Sequence, residues 1–226
     1  MITRDDILLS GRRALVTGGA RGIGRATAEA MASLGASVAV CDRLGDELAD
    51  AMASVDAIGA AGPDPDSFDS MAERLDVRDE EAVAAFVERI AAGWGSLDIL
   101  VNNAGGGGPK PFDMPMSDMR RAFELNVFSV FRLCQLAAPH MEAAGGGAIL
   151  NITSMSAENH NRRMASYSSS KAAESHLTRN IAHDLGPMNI RVNAIAPGAT
   201  RTAALQKVLS PETEAAMLQH TPLKRL

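Results

Sequence analysis

Cysteine is scarce in this 226-residue chain, which carries two, Cys41 and Cys134. Their positions offer no metal-ligand spacing and no disulfide framework, so both read as packed thiols, one at a strand end and one in an apolar helix. No apolar run approaches the ~18 uninterrupted residues of a spanning helix. The N-terminus, Met1-Ile-Thr-Arg-Asp-Asp6, has mixed charge where a signal peptide needs an apolar core. A cytoplasmic protein with no membrane partner is the expectation. Basic runs are lacking too, and with a formal net charge of −5 the chain is a poor match for nucleic acid or an anionic surface. The five histidines include no HExxH and no matched carboxylate set, so no metal is expected; His160 reads as a solvated loop residue.

What is present is apolar residue, 46% of the chain, enough for a sizeable core in one domain over residues 1–226. Short apolar strands alternate with helical patterns: Ala14 to Thr17, Ser37 to Cys41, one recovering around Arg74 to Val77, Leu97 to Asn102, Ala148 to Ile152 and Ile190 to Ile195. This βαβ rhythm predicts an α/β fold, a doubly wound parallel sheet of Rossmann type with helices on both faces and its strand C-termini along one ligand-binding edge. The turn-rich stretch from Ala57 to Asp69 predicts a surface excursion. A single amphipathic helix is expected from about Ser117 to Met141.

The chemistry begins at the first strand, which runs into Gly18-Gly-Ala-Arg21-Gly22-Ile23-Gly24 and then a helix to Leu34. Strand, glycine turn and helix come in the order that a dinucleotide pyrophosphate needs, with glycines allowing close backbone approach and the helix N-terminus offering unpaired amides. The second strand ends at Asp42, 18 residues after Gly24, near the offset of the acid that binds the adenosine ribose hydroxyls. A carboxylate there favours NAD over NADP, while Arg21 and Arg43 leave room for some NADP tolerance.

Further along, Tyr167 and Lys171 stand four apart, on one helix face. The phenol titrates near ~10 when unperturbed, and a neighbouring ammonium favours its phenolate, which suits proton exchange with an alcohol or ketone. Ser154 follows a strand and can orient a reacting C–O group; Ser156 and the serines at 168 to 170 are set aside. Asn126 is a polar residue within a helix and needs a partner, catalytic or structural.

In order and spacing, Thr17-Gly-Gly-Ala-Arg-Gly-Ile-Gly24, Asn102-Asn-Ala-Gly105, Asn126, Ser154, Tyr167, Lys171 and Pro197-Gly198 resemble the short-chain dehydrogenase/reductase family. The stretches from Asn102 to Met116, Phe123 to Ser129, Ile152 to Asn159 and Met217 to Pro222 are similar to its bacterial hydroxysteroid dehydrogenases acting at the 7α position. The resemblance implies an NAD-dependent oxidoreductase for a steroid or bile-acid alcohol, working as a homo-oligomer, a tetramer or dimer. It implies Asn126, Ser154, Tyr167 and Lys171 as the catalytic set, with Asn126 holding a water that links Lys171 to solvent. It puts Asp76 and Val77 beside the adenine, and Asn103, Ala104 and Gly105 along the cofactor. Lys171 would hold the nicotinamide ribose, with Pro197, Gly198, Thr200 and Thr202 over the carboxamide end. Gly107 and Asn159 become substrate contacts alongside Ser154 and Tyr167. The family normally continues past Thr221-Pro-Leu-Lys-Arg-Leu226 with another helix, a last strand and a glycine-rich tail, so a sheet without that strand is expected. A 3-oxoacyl thioester reductase using NADPH and a dinucleotide-binding protein without turnover remain as alternatives.

Overall fold

The structure is a computed structural model and describes residues 7–207, 209–219 and 221–226. Strands β1 (Arg13–Thr17), β2 (Ser37–Asp42), β3 (Ser70–Arg74), β4 (Ile99–Asn102), β5 (Gly147–Ile152) and β6 (Ile190–Ile195) form one parallel sheet in the order β3-β2-β1-β4-β5-β6. The order reverses between β1 and β4, and in sheets of this kind ligands bind outside the strand C-termini at that point.

Alternation along the strands assigns the two faces. Val16, Val38, Val40 and Val101 pack toward α1 (Gly22–Ser33) and α2 (Gly45–Ala60), meeting Ala28, Ala32, Leu48, Met52 and Val55. Their neighbours Leu15, Ala39, Cys41 and Leu100 point the other way. There they meet Phe86, Val87 and Ile90 of α3 (Glu80–Trp94), Leu133, Ala137 and Met141 of α5 (Ser129–Ala143), and Ile181 of α6 (Ala165–Leu185). Both sides of the central strands are therefore dry, which explains their unbroken apolar runs. Burial pushes the thiols of Cys41 and Cys134 up to about 12, so both stay neutral and inert.

Two expected elements are corrected. The third strand lies at Ser70–Arg74, upstream of the Leu75 to Val77 stretch, because β3 is an edge strand of mostly polar, partly exposed residues. Leu75 and Val77 are buried just beyond its end. The helix expected from Ser117 to Met141 is interrupted: α4 (Met116–Phe123) passes through a π-helical turn, Glu124–Phe128, into α5. The surface excursion begins only after Ala60, where α2 ends. A side chain on Gly59 would meet the ring of Phe68 at 2.3 Å, so this connection is folded back onto its own helix. Two short helices, α7 (Ala203–Gln206) and α8 (Pro211–Gln219), follow β6. No helix of the described residues is long and apolar enough to cross a membrane.

Candidate active site

The glycine turn after β1 is a fitted cradle. Gly18 has φ +65° and Gly22 φ +58°, in the left-handed region that favours glycine. A Cβ on Gly18 would fall 2.8 Å from the Ala104 Cα, and one on Gly24 would fall 2.2 Å from the Gly18 carbonyl oxygen. Backbone from the turn, from α1 and from the end of β4 thus converges at closer range than side chains permit. Thr17 organises the junction: its hydroxyl donates to the Val101 carbonyl at 3.3 Å and accepts from the amides of Asn103 and Ala104, each at 3.0 Å. The Asn103 side-chain amide closes the contact by donating to the carbonyls of Thr17 and Gly18, both at 2.9 Å.

At the end of β2 the Asp42 carboxylate accepts from the Ala20 amide and from the Leu44 amide, each at 3.1 Å. It is thereby pinned against the glycine turn. Arg43 beside it is exposed. Asp76 is half-buried, and the Arg78 guanidinium and amide hold its carboxyl below the usual range.

On α6, Lys171 is buried, with its ammonium donating to the Ile152 carbonyl at 2.8 Å and to the Glu174 Oε2 at 2.7 Å. A methyl group on Gly105 would sit 3.0 Å from both the Lys171 Nζ and the Asn126 Oδ1, so the loop after β4 passes directly over the ammonium. One on Gly107 would meet the Tyr167 ring at 2.5 Å. This glycine lies flush against the phenol, and its lack of a side chain is a packing requirement. Asn126, fully buried in the π turn, accepts from the Gly106 amide at 2.9 Å and donates to the Gly106 carbonyl at 3.0 Å and to the Ser170 hydroxyl at 2.9 Å. Its side chain thus ties that loop to α6. Ser154 accepts from the Ser156 amide at 3.1 Å, which leaves its own O–H free to donate.

These groups share one cleft of about 1450 Å³ over the strand C-termini. Its walls include Gly18, Arg21, Gly22, Ile23, Asp42, Arg43, Asp76 and Val77 at one end. Asn103, Ala104, Gly105, Gly107, Ser154, Asn159, Tyr167 and Lys171 line its middle, and Pro197, Gly198, Thr200 and Thr202 close it. Gly24 and Asn126 lie behind the wall, both buried. A Cβ on Gly22 would touch the Thr202 Cγ2 at 3.3 Å, showing how nearly the 197–202 segment meets the glycine turn. The cleft could hold an elongated dinucleotide along the glycine cradle and an alcohol or ketone against Tyr167 and Ser154. Among the described residues no cluster of three or more His, Cys, Asp or Glu could hold a metal ion.

Several participants were missed by sequence reasoning. Ser170, set aside there, is buried, bonds Asn126 and donates to the Tyr167 carbonyl at 2.8 Å. The buried chain running from Asn102 to Asn151 at 2.9 Å, and from Asn151 to Thr178 at 2.9 Å, also went unread. Glu174, fully buried, was missed because an acid on a helix ordinarily faces water; its position three residues after Lys171 was the available signal.

Residues 12–213 match the family described as short chain dehydrogenase. The chain is 52% identical over 226 residues to the 7α-hydroxysteroid dehydrogenase of Escherichia coli K12, covering 100% of this chain and 86% of that protein. It is 40% identical over 217 residues to the cis-4-hydroxycyclohexanecarboxylate dehydrogenase of Sinomonas cyclohexanicum, covering 95% and 83%. Among solved structures, a 7α-hydroxysteroid dehydrogenase complexed with NADH and 7-oxo glycochenodeoxycholic acid superposes with a TM-score of 0.94 at 52% identity, over 100% of this chain and 86% of the other. An NAD+-bound xylitol dehydrogenase gives 0.87 at 32% identity, over 96% and 87%.

Proposed function

The chain belongs to the short chain dehydrogenase family, and from that premise we propose that it is an NAD-dependent oxidoreductase interconverting the 7α-hydroxyl of a bile acid or related steroid with the ketone. The observation that carries this reading is the continuity of one cleft from the glycine cradle to Tyr167, Lys171 and Ser154. Chemistry that needs a dinucleotide and a proton-exchanging phenol side by side finds both there.

The cradle suits NAD. Gly18, Arg21, Gly22 and Ile23 would face the pyrophosphate, with Gly24 allowing the close packing beneath it. Asp42, pinned toward the turn, would accept hydrogen bonds from free ribose hydroxyls and repel a 2′-phosphate, with Arg43 at its side. Asp76 and Val77 would flank the adenine. Asn103, Ala104 and Gly105 would run along the cofactor, and Pro197, Gly198, Thr200 and Thr202 would border the nicotinamide end. Bound NAD would supply the hydride acceptor, taking the electron pair of the breaking C–H bond in oxidation and returning it in reduction.

The chain's own part is the proton. Tyr167, as phenolate, accepts the proton of the substrate hydroxyl as the carbonyl forms, and donates it back in reduction. Ser154, with its O–H free, donates to the substrate oxygen and holds it toward the phenol. Lys171, its ammonium held by the Ile152 carbonyl and Glu174, has one N–H left for the cofactor ribose. Asn126 fixes the Gly105 to Gly107 wall between the two, while Gly107 and Asn159 bound the substrate side. Assembly into a dimer or tetramer belongs to the same reading, supported by Phe128 and Phe131, which stand 55% and 43% exposed.

Absorbance of reduced cofactor tests the reading. NAD should be reduced with a 7α-hydroxy bile acid and not with its 7β epimer. Equal rates on both epimers, or turnover confined to NADP, would overturn the assignment.

A further inference from the structure

Three side chains with chemistry share one face of α6: Tyr167, Lys171 and, three residues further, Glu174. The third has no part in the reaction as described so far. Its side chain has no exposure, its Oε2 takes an N–H of Lys171 at 2.7 Å, and its Oε1 has no hydrogen-bond partner among the described residues. Structural carboxylates are rarely left so, since each unpartnered lone pair keeps its desolvation cost uncompensated.

We propose that Glu174 is a positioning residue for the Tyr167–Lys171 pair: it draws the Lys171 ammonium onto the floor of the cleft and, when ionised, sets a negative charge against that ammonium on the helix face that carries Tyr167. The proposal rests on the functional reading above in taking Tyr167 as the group that exchanges the proton.

The donor count supports it. An ammonium has three N–H groups. The Ile152 carbonyl and Glu174 use two, so one is left to point into the cleft. Glu174 therefore decides both where Lys171 sits and how much of its charge is felt one turn away. The field around the carboxyl is otherwise quiet. From α5 the facing titratable group is the Cys134 thiol, kept neutral by burial, and from β4 and β5 come the uncharged Asn102 and Asn151. Arg121 on α4, Arg132 on α5 and Arg191 on β6 lie at partly or fully exposed positions. Burial raises the Glu174 carboxyl to about 7 even though Lys171 pulls it down, so both of its forms are populated near neutral pH.

Tyr167 is the one tyrosine in these 226 residues, so the absorbance change from phenol to phenolate in the 226-residue protein reports it directly, without substrate or cofactor. Glu174→Gln and Glu174→Leu both remove the charge and keep the pocket filled. In either, the midpoint of that change should fall by about half a pH unit or more, the effect of one charge two helical turns away. Glu174→Asp should stay near the wild type. The acid limb of alcohol oxidation should move with the absorbance. An unmoved midpoint in whichever of the two neutral variants keeps the wild-type far-UV spectrum would overturn the proposal and leave Glu174 a packing residue. Inactivity toward bile acids would count against the functional reading alone, because the absorbance titration does not depend on it.

Discussion

At the scale of single residues, the site works by removing freedom. Asp42 is held through both carboxylate oxygens by backbone amides, so it cannot swing aside to admit a 2′-phosphate. Asp42→Ala should therefore erase the preference for NAD by at least about tenfold in relative kcat/KM, the worth of one hydrogen bond to a charged group; an unchanged NAD-to-NADP ratio would remove this residue from cofactor choice. Gly107 restrains Tyr167 in a similar way. The Gly107→Ala variant must displace the phenol ring that its methyl would strike, so kcat should drop while NADH binding, read by fluorescence, stays near wild type. Glu174 carries a consequence for stability as well. Its carboxyl sits at about 7 in the folded protein against 4.5 as the ordinary value, so between those pH values the folded state binds more protons than the unfolded one. Stability from this group is present below the lower value and is lost as pH rises through the upper. Melting temperatures of wild type and Glu174→Gln should thus diverge between pH 5 and 8, the wild type falling relative to the variant; parallel curves would contradict the burial argument.

At the scale of elements, the π turn between α4 and α5 is the feature that joins helix packing to the cleft. It turns Asn126 inward onto both polar groups of Gly106 and onto Ser170. Asn126→Ala would leave the amide and carbonyl of Gly106 without these partners, a loss of about 1–3 kcal/mol that urea unfolding would register. Little of this turn was legible in the sequence, since one extra residue within a helical pattern barely disturbs its period. β1 and β5 were legible because buried parallel strands keep unbroken apolar runs, β6 because Ile190 and Val192 alternate with exposed residues along an edge strand, and the glycine turn because no other residue satisfies its backbone. β3 was displaced for the opposite reason: at the sheet edge Ser70–Arg74 is polar, while the apolar Leu75 and Val77 that suggested a strand are core residues beyond it. The placing of Tyr167 and Lys171 four apart on α6 could be read directly, but the burial of Glu174 could not, because charge on a helix face signals solvent until the packing around it is known.

At the scale of the whole molecule, the reversal of strand order between β1 and β4 opens the sheet where the glycine cradle and the Tyr167 helix face each other. Two halves of the chain that share no local sequence feature meet there, one suited to the dinucleotide and the other to the proton. The account stands on their acting together through one phenol. Steady-state turnover of the 7α-hydroxy bile acid by Tyr167→Phe, beside NADH binding to the same protein, tests this most directly. The prediction is binding within about twofold of wild type with turnover at least ~100-fold lower, the usual share of a positioned acid/base. Turnover near the wild-type rate would contradict it, and the proton would have to pass through another group.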